Sequence, residues 1–230
     1  MKKNRLLLLL FFVLPTLQAT AQNFIGFKAG VSYSNTYLPF NLMSEDLVQR
    51  SYLPGLQLGI PIQIKVNELL TIQPEIIIAT EGSFLNVFRA EEQRIYNNAL
   101  VYIKMPLLAK TTLWKKKNYQ VHALLGVTPA YAIDIKSISY PQGFRTITIR
   151  EEPISFETST VKRFDLALSA GLDIQKTIAK GIKMVLETRY NLGLYDIEKL
   201  AERTSFTESF YLTIGLLMPI KRKKIKKEPI

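Results

Sequence analysis

His122 is the single histidine of the chain and the side chain best suited to acid–base chemistry, because imidazole titrates near neutral pH. It lies in YQVHALLGV (119–127), on the polar side of an alternating segment. No carboxylate is close to it in sequence, and no Gly-x-Ser-x-Gly motif provides a nucleophile. This pattern is compatible with two roles for His122. It could act as the acid–base residue of an enzyme, or it could be a hydrogen-bonded histidine in the interior of the protein.

Metal and cofactor sites are not indicated by the sequence. The pairs Glu91–Glu92 and Glu151–Glu152 are poor chelators, because adjacent residues of a strand point to opposite faces. Gly-x-Gly-x-x-Gly, P-loop and EF-hand motifs are absent, and the lack of cysteine excludes disulfides and thiolate metal sites. We therefore predict no catalytic, cofactor-binding or metal site, and a protein that is not an enzyme.

Charged residues recur at alternate positions within apolar segments. In RFDLALSAGLDIQ (163–175), Asp165 and Asp173 share the face opposite to Leu168, which is typical of a strand with one apolar and one polar face. Charges removed from water are costly unless they are paired, and the polar faces of the predicted strands carry nearly balanced charge. We therefore predict an ion-pair network inside a lumen, formed by Lys28, Lys65, Glu75, Glu81, Lys104, Lys110, Asp165, Asp173, Lys183, Glu187 and Arg189.

Eight such segments follow one another, with connections that alternate between short and long. The predicted strands are 24–34, 55–66, 70–81, 99–113, 119–134, 163–175, 181–195 and 209–220. Short turns follow the second, fourth and sixth strands, whereas the long polar connections are 35–54, 82–98, 135–161 and 196–208. This organisation predicts an all-β fold, an eight-stranded antiparallel up-and-down transmembrane β-barrel with both termini on the periplasmic side. Pro61, Pro74, Pro106 and Pro129 lie inside these strands, where we expect bulges or kinks.

The N-terminus has the three parts of a Sec signal peptide. Lys2, Lys3 and Arg5 form a basic region, residues 6–14 are apolar, and Ala19-Thr20-Ala21 is a cleavage pattern. We predict a signal peptide over 1–21, a barrel domain over 22–220 and a basic periplasmic tail over 221–230. No apolar run approaches the ~20 residues of a transmembrane helix, so a membrane crossing would use strands.

The net charge of +11 does not indicate nucleic-acid binding, because much of it lies at the two ends of the chain. The signal peptide accounts for three positive charges and the tail for a net five, which leaves +3 on residues 22–220. The tail is expected to contact a periplasmic or secretion-complex protein, a cell-wall polymer or an anionic lipid of the inner leaflet, or else to be a solubilising extension. Its cations are Lys221, Arg222, Lys223, Lys224, Lys226 and Lys227.

Several stretches together resemble a known family. They are GFKAGVSYSN (26–35), GLQLGIPIQI (55–64), YIKMPLLAK (102–110), LLGVTPAYAID (124–134) and LSAGLDI (168–174). In this order they are similar to the PorT-type outer-membrane β-barrels of Bacteroidetes, over essentially the whole mature chain. The resemblance implies an eight-stranded barrel in the outer membrane of a Gram-negative bacterium. The family takes its name from a member required for type IX protein secretion and gliding.

The expected function is that of a non-enzymatic structural or accessory barrel, surrounded by outer-membrane lipid, which presents extracellular loops and a basic tail to partners. A component of a type IX-like secretion apparatus is the first alternative. A lipid-modifying enzyme and a secreted lipocalin-like binder are the others. Carboxylates gathered around His122 would favour the enzyme, and an apolar-lined cavity would favour the binder.

Overall fold

The computed structural model describes residues 23–37, 47–89, 92–143, 146–147, 150–152, 161–197, 199 and 206–220. The predicted signal peptide (1–21) and the basic tail (221–230) lie outside these residues, so both stay predictions. In the described part of the chain, no helix is long and apolar enough to span a membrane.

The described chain is built from strands, as the alternating segments predict. In chain order they are β1 (Phe24–Tyr37), β2 (Leu47–Lys65), β3 (Leu70–Arg89), β4 (Glu92–Lys104), β5 (Leu107–Lys116), β6 (Tyr119–Gly143), β7 (Thr146–Ile147), β8 (Arg150–Glu152), β9 (Phe164–Thr177), β10 (Lys183–Gly193) and β11 (Phe206–Pro219).

The strands close into a ring of antiparallel pairs. From β1 the ring runs through β2 to β3, through β4 and β5 to β6, and then through β9 and β10 to β11, which pairs with β1 again. Strands β4 and β5 share one position, since β4 pairs with one part of β3 and β5 with another part. The ring therefore has eight positions, which confirms the predicted barrel.

The two ends of the barrel differ. The turns between β2 and β3, β5 and β6, and β9 and β10 are short, and they lie at the end where β1 begins and β11 ends. There Phe24 pairs with Pro219. We call this the turn end, which faces the periplasm in barrels of this class, and the opposite end the loop end.

Pro106 divides the fourth predicted strand (99–113) at one of the positions where a bulge or kink is expected. Because proline has no N–H, the strand is interrupted at Met105–Pro106, between β4 and β5. The backbone N–H of Met105 donates to the Pro129 carbonyl at 2.9 Å, and that of Glu75 donates to the Pro106 carbonyl at 3.0 Å. The interruption therefore leaves the barrel wall closed.

The other three prolines do not produce the expected register shifts. Pro129 lies in a continuous ladder with β9. On its other side it lies opposite the interruption at Met105, so the missing N–H of the proline costs little there. Pro61 lies beside a gap in the β1–β2 ladder, and Pro74 lies at the end of the β3–β5 ladder. Register shifts in the described ladders occur instead at Tyr52/Gln57, Val101/Tyr102 and Thr112/Trp114.

Three connections predicted as loops contain long stretches of strand. In the connection 35–54, β2 begins at Leu47 and pairs with β3 from Leu47–Phe88 onward. The segment 82–98 continues β3 and begins β4, which pair from Gly82–Ala99 out to Arg89–Glu92. In the connection 135–161, β6 extends to Gly143 and pairs with the short strands β7 and β8. These segments lack the alternation of the membrane-spanning parts, so periodicity could not identify them as strands.

The apolar faces point outward. Leu168 is 40% exposed, whereas Asp165 and Asp173 on the opposite face of β9 are 2% and 1% exposed. The same arrangement holds on β10 and β11, where exposed and buried residues alternate. A soluble sandwich would have the reverse arrangement.

Aromatic residues lie on the outer face near the loop end. The rings of Tyr33 and Tyr52 stack with centroids 4.9 Å apart. The hydroxyl of Tyr52 donates to Glu208, and that of Tyr190 donates to the same carboxylate at 3.1 Å. These tyrosines cover Glu208, which is only 6% exposed.

Candidate functional site in the barrel lumen

Two cations and two carboxylates from three strands meet in the lumen: Lys28 on β1, Glu75 on β3, and Glu187 and Arg189 on β10. We call them the central cluster. The ammonium of Lys28 lies 2.6 Å from Glu75 Oε1 and 2.9 Å from Glu187 Oε2. Arg189 Nη2 lies 3.0 Å from both oxygens of Glu75 and also contacts Glu187.

The central cluster is buried and electrically balanced. Its four side chains are at most 5% exposed. Unpaired charges at such depth would be strongly unfavourable, and here each charge contacts two of opposite sign. Residues 187 and 189 point inward together because they are two positions apart on β10.

A second group lies closer to the turn end, consisting of Lys110, His122 and Asp173, which we call the turn-side cluster. The β6–β9 register places His122 directly opposite Asp173. Nδ1 of His122 lies 2.6 Å from Asp173 Oδ1, and Lys110 forms an ion pair with the same carboxylate. All three side chains are at most 7% exposed.

Buried glutamines join these two clusters. Gln73 accepts hydrogen bonds from Lys110 at 3.0 Å and from Gln63 at 2.7 Å. Its own amide donates to Glu75. The polar network is therefore continuous from the turn-side cluster to the central cluster.

A third group, the loop-side cluster, consists of Glu81, Lys104 and Tyr211. Lys104 forms an ion pair with Glu81 and donates to the Tyr211 hydroxyl at 2.9 Å. Ser209 also donates to that hydroxyl, at 3.0 Å. One Oε of Glu81 has no hydrogen-bond partner among the described residues.

Eight of the eleven residues predicted to form the network lie in buried ion pairs: Lys28, Glu75, Glu81, Lys104, Lys110, Asp173, Glu187 and Arg189.

Within the described residues the other three join no ion pair inside the lumen, which corrects the prediction. Lys65 is the last residue of β2 and pairs with Glu68 in the adjacent turn at 2.8 Å, where its side chain is 33% exposed. Lys183 is the first residue of β10 and donates to glutamine carbonyls. Asp165 accepts from the Thr207 hydroxyl at 2.6 Å. Lys65 and Lys183 lie at strand ends, where their partners are a turn carboxylate and glutamine carbonyls. Beside Asp165, a threonine hydroxyl takes the place of a cation.

His122 has the acid partner that the sequence does not reveal. Asp173 is its hydrogen-bond partner within the described chain. Thr71 and Thr112 line the same cavity as His122. No hydrogen bond from either threonine to the imidazole occurs within the described chain, so a nucleophile paired with this base is not formed there. The described residues also contain no group of His, Cys, Asp and Glu that could hold a metal ion.

Sequence reasoning missed the polar residues that connect the charges. Gln63, Gln73 and Gln175 alternate in phase with the inward charges, and this was a usable signal. The pairing of His122 with Asp173 had no such signal, because it depends on the register between β6 and β9.

Comparisons with known proteins agree with this architecture. Residues 20–199 match the family model described as outer membrane protein beta-barrel domain. No curated protein matches the chain. The outer membrane protease OmpT from Escherichia coli has a TM-score of 0.51 and 10% identity, covering 89% of this chain and all of that one. OprG from Pseudomonas aeruginosa has a TM-score of 0.48 and 11% identity, covering 86% of this chain and 96% of that one. At these identities the likeness concerns the fold alone.

We predict that Asp173→Leu destabilises the folded barrel, because it leaves Lys110 buried without its counter-charge and removes the partner of His122. Breaking one side of a buried pair costs roughly 3–5 kcal/mol. The unfolding temperature in a heat-modifiability gel should fall, and the double variant Asp173→Leu/Lys110→Met should recover part of the loss. An unchanged transition in Asp173→Leu would contradict the importance of this pair.

Proposed function

We propose, on the premise that the chain belongs to the outer membrane protein beta-barrel domain family, that it is a closed, non-enzymatic outer-membrane barrel that acts through its two ends. The observation that carries this proposal is the central cluster, because side chains from β1, β3 and β10 meet across the lumen there. The interior of an eight-stranded barrel is just wide enough for its own side chains. A lumen crossed by ion pairs is not an open diffusion channel.

The polar lumen argues against the secreted lipocalin-like binder. Such a binder would need an apolar-lined cavity and a polar exterior. The barrel has apolar side chains outside and ion pairs inside, and it resides in the outer membrane of a Gram-negative bacterium.

We predict that the wild-type protein in a planar lipid bilayer produces no unitary conductance steps. Replacing all four residues of the central cluster with alanine should produce steps, because it removes the side chains that cross the lumen without leaving an unpaired charge. The control is Lys65→Ala/Glu68→Ala, which removes an ion pair at the turn end and should stay silent. Stable conductance by the wild type would contradict a closed barrel.

The pairing of His122 with Asp173 is the observation that favours the alternative of a lipid-modifying enzyme. Asp173 orients the imidazole as the acid member of a catalytic group would. The same carboxylate, however, also pairs with Lys110, and its role in the network accounts for its position without catalysis. We therefore assign His122 a structural role.

An activity test separates these two roles. We expect the folded wild type and His122→Asn to hydrolyse a nitrophenyl acyl ester and a phospholipid at the same background rate as the detergent blank. The asparagine amide can still donate a hydrogen bond to Asp173, so the fold should survive. Turnover by the wild type that His122→Asn loses would establish the enzyme instead.

The remaining alternative, a component of a type IX-like secretion apparatus, comes from the resemblance to PorT-type barrels. It would use the tail, which follows the turn end of β11 directly and carries six cations in ten residues. An acidic surface on a periplasmic protein is the matching partner.

We expect that changing all six tail cations to glutamine leaves insertion into the outer membrane intact. The same change should reduce cross-linked recovery of a periplasmic partner at least tenfold. A variant with six arginines preserves the charge and should retain the partner.

If the barrel belongs to a secretion apparatus, deleting the gene should block secretion. The arginine variant should restore secretion, and the glutamine variant should not. Equal recovery with both tails would argue against an electrostatic role.

A further inference from the structure

A cavity of about 220 Å³ lies at the turn end of the lumen, beyond the turn-side cluster. Four lysines line it, together with His122 and a single carboxylate, Glu68. The lysines are Lys65, Lys110, Lys115 and Lys183.

Two of these four positive charges are balanced by carboxylates. Lys65 pairs with Glu68 at 2.8 Å, and this hydrogen bond, together with the lysine charge, lowers the pKa of the Glu68 carboxyl below its ordinary value. Lys110 pairs with Asp173. Neither Lys115 nor Lys183 pairs with a carboxylate in the described part of the chain. The cavity therefore retains two uncompensated positive charges when His122 is neutral.

The direct hydrogen-bond partners of Lys183 are neutral glutamine side chains. Its ammonium donates to Gln120 Oε1 at 3.0 Å and to Gln175 Oε1 at 3.2 Å. The same nitrogen lies 4.4 Å from the ring centroid of Phe24. An ammonium has three donors, so one remains after the two glutamine carbonyls are bound. Lys183 is thus held in place, and its third N–H can donate to a ligand.

We propose that this cavity binds a phosphate group. Inorganic phosphate carries about −1.5 to −2 charge near pH 7 and several acceptor oxygens, which matches the two uncompensated ammonium groups, whereas the phosphodiester of a phospholipid carries one negative charge and would balance one of them. Lysine acts as a compact point charge toward phosphate. The hydroxyls of Thr71 and Thr112, which also line the cavity, add neutral donors.

Two sources share this chemistry at the turn end: free phosphate in the periplasm, and the head group of an anionic phospholipid in the inner leaflet of the outer membrane. Because Glu68 and Lys115 at the cavity are exposed, both sources have access. The inference is independent of any partner bound by the loops or the tail.

The test compares three variants of the complete mature protein in non-ionic detergent. Lys183→Gln and Lys115→Gln each remove one uncompensated charge. Lys116→Gln is the matched control, since Lys116 neighbours Lys115 on β5, is exposed and does not line the cavity. Heat-modifiable migration establishes that each variant is folded, and Lys115→Gln carries the test alone if Lys183→Gln is not.

Calorimetric titration with inorganic phosphate is the first arm. The second arm is native mass spectrometry after incubation with phosphatidylglycerol or with zwitterionic phosphatidylcholine. We expect at least one arm to show binding that Lys183→Gln and Lys115→Gln weaken at least tenfold and Lys116→Gln less than twofold. Binding of inorganic phosphate identifies the free anion as a ligand, and retention of phosphatidylglycerol alone identifies the lipid.

Two results would overturn the proposal. One is that neither inorganic phosphate nor phosphatidylglycerol binds the wild type. The other is that Lys116→Gln weakens binding as much as the cavity variants, since this would show a general attraction to a basic rim rather than a site.

Discussion

The interior of an eight-stranded barrel is just wide enough for its own side chains, so a charge buried deep inside it needs a partner on another strand. Most of the described lumen follows from this constraint. Glu75 contacts Lys28 on β1 and Arg189 on β10, residues that are 47 and 114 positions away in the chain. Strands that are not neighbours in the ring are thereby tied to each other across the lumen. The lumen depends on inward charges that balance one another over long sequence separations.

The same constraint fixes the register of the strands. A slip of β10 by one residue would turn Glu187 and Arg189 toward lipid and would leave Glu75 and Lys28 without part of their partners. A charged side chain facing the bilayer midplane costs about 2–4 kcal/mol for Arg or Lys. The apolar outer face and the charged inner face therefore oppose a slip together. Glu208, the buried carboxylate on the loop-end rim, is held by tyrosine hydroxyls instead.

Alternation in the sequence was sufficient to predict the barrel and the direction of most charged side chains. Glu187 and Arg189 could be assigned to the lumen because inward positions recur every second residue. Alternation could not predict which charge pairs with which. His122, for example, meets Asp173 through a strand register that neither segment encodes alone. The prediction placed Lys65 and Lys183 on the correct face. Because both residues lie at strand ends, however, Lys65 pairs with a turn residue and Lys183 contacts glutamines. Distance along the barrel axis decides the partner of such a residue, and period-two alternation carries no information about that distance.

The distribution of charge along the barrel axis links the lumen to its function. The central cluster is neutral, with two cations and two carboxylates. On the loop side, Lys104 is accompanied by Glu81 and Asp165, so carboxylates exceed cations among these buried residues. At the turn end the excess is positive, because Lys115 and Lys183 have no carboxylate partner in the described chain. The neutral central cluster lies between these two regions, so the net charge of the described buried residues changes from negative on the loop side to positive at the turn end. The turn end is thus the part of the described lumen that suits an anion, and in the sequence the segment that follows β11 carries further positive charge.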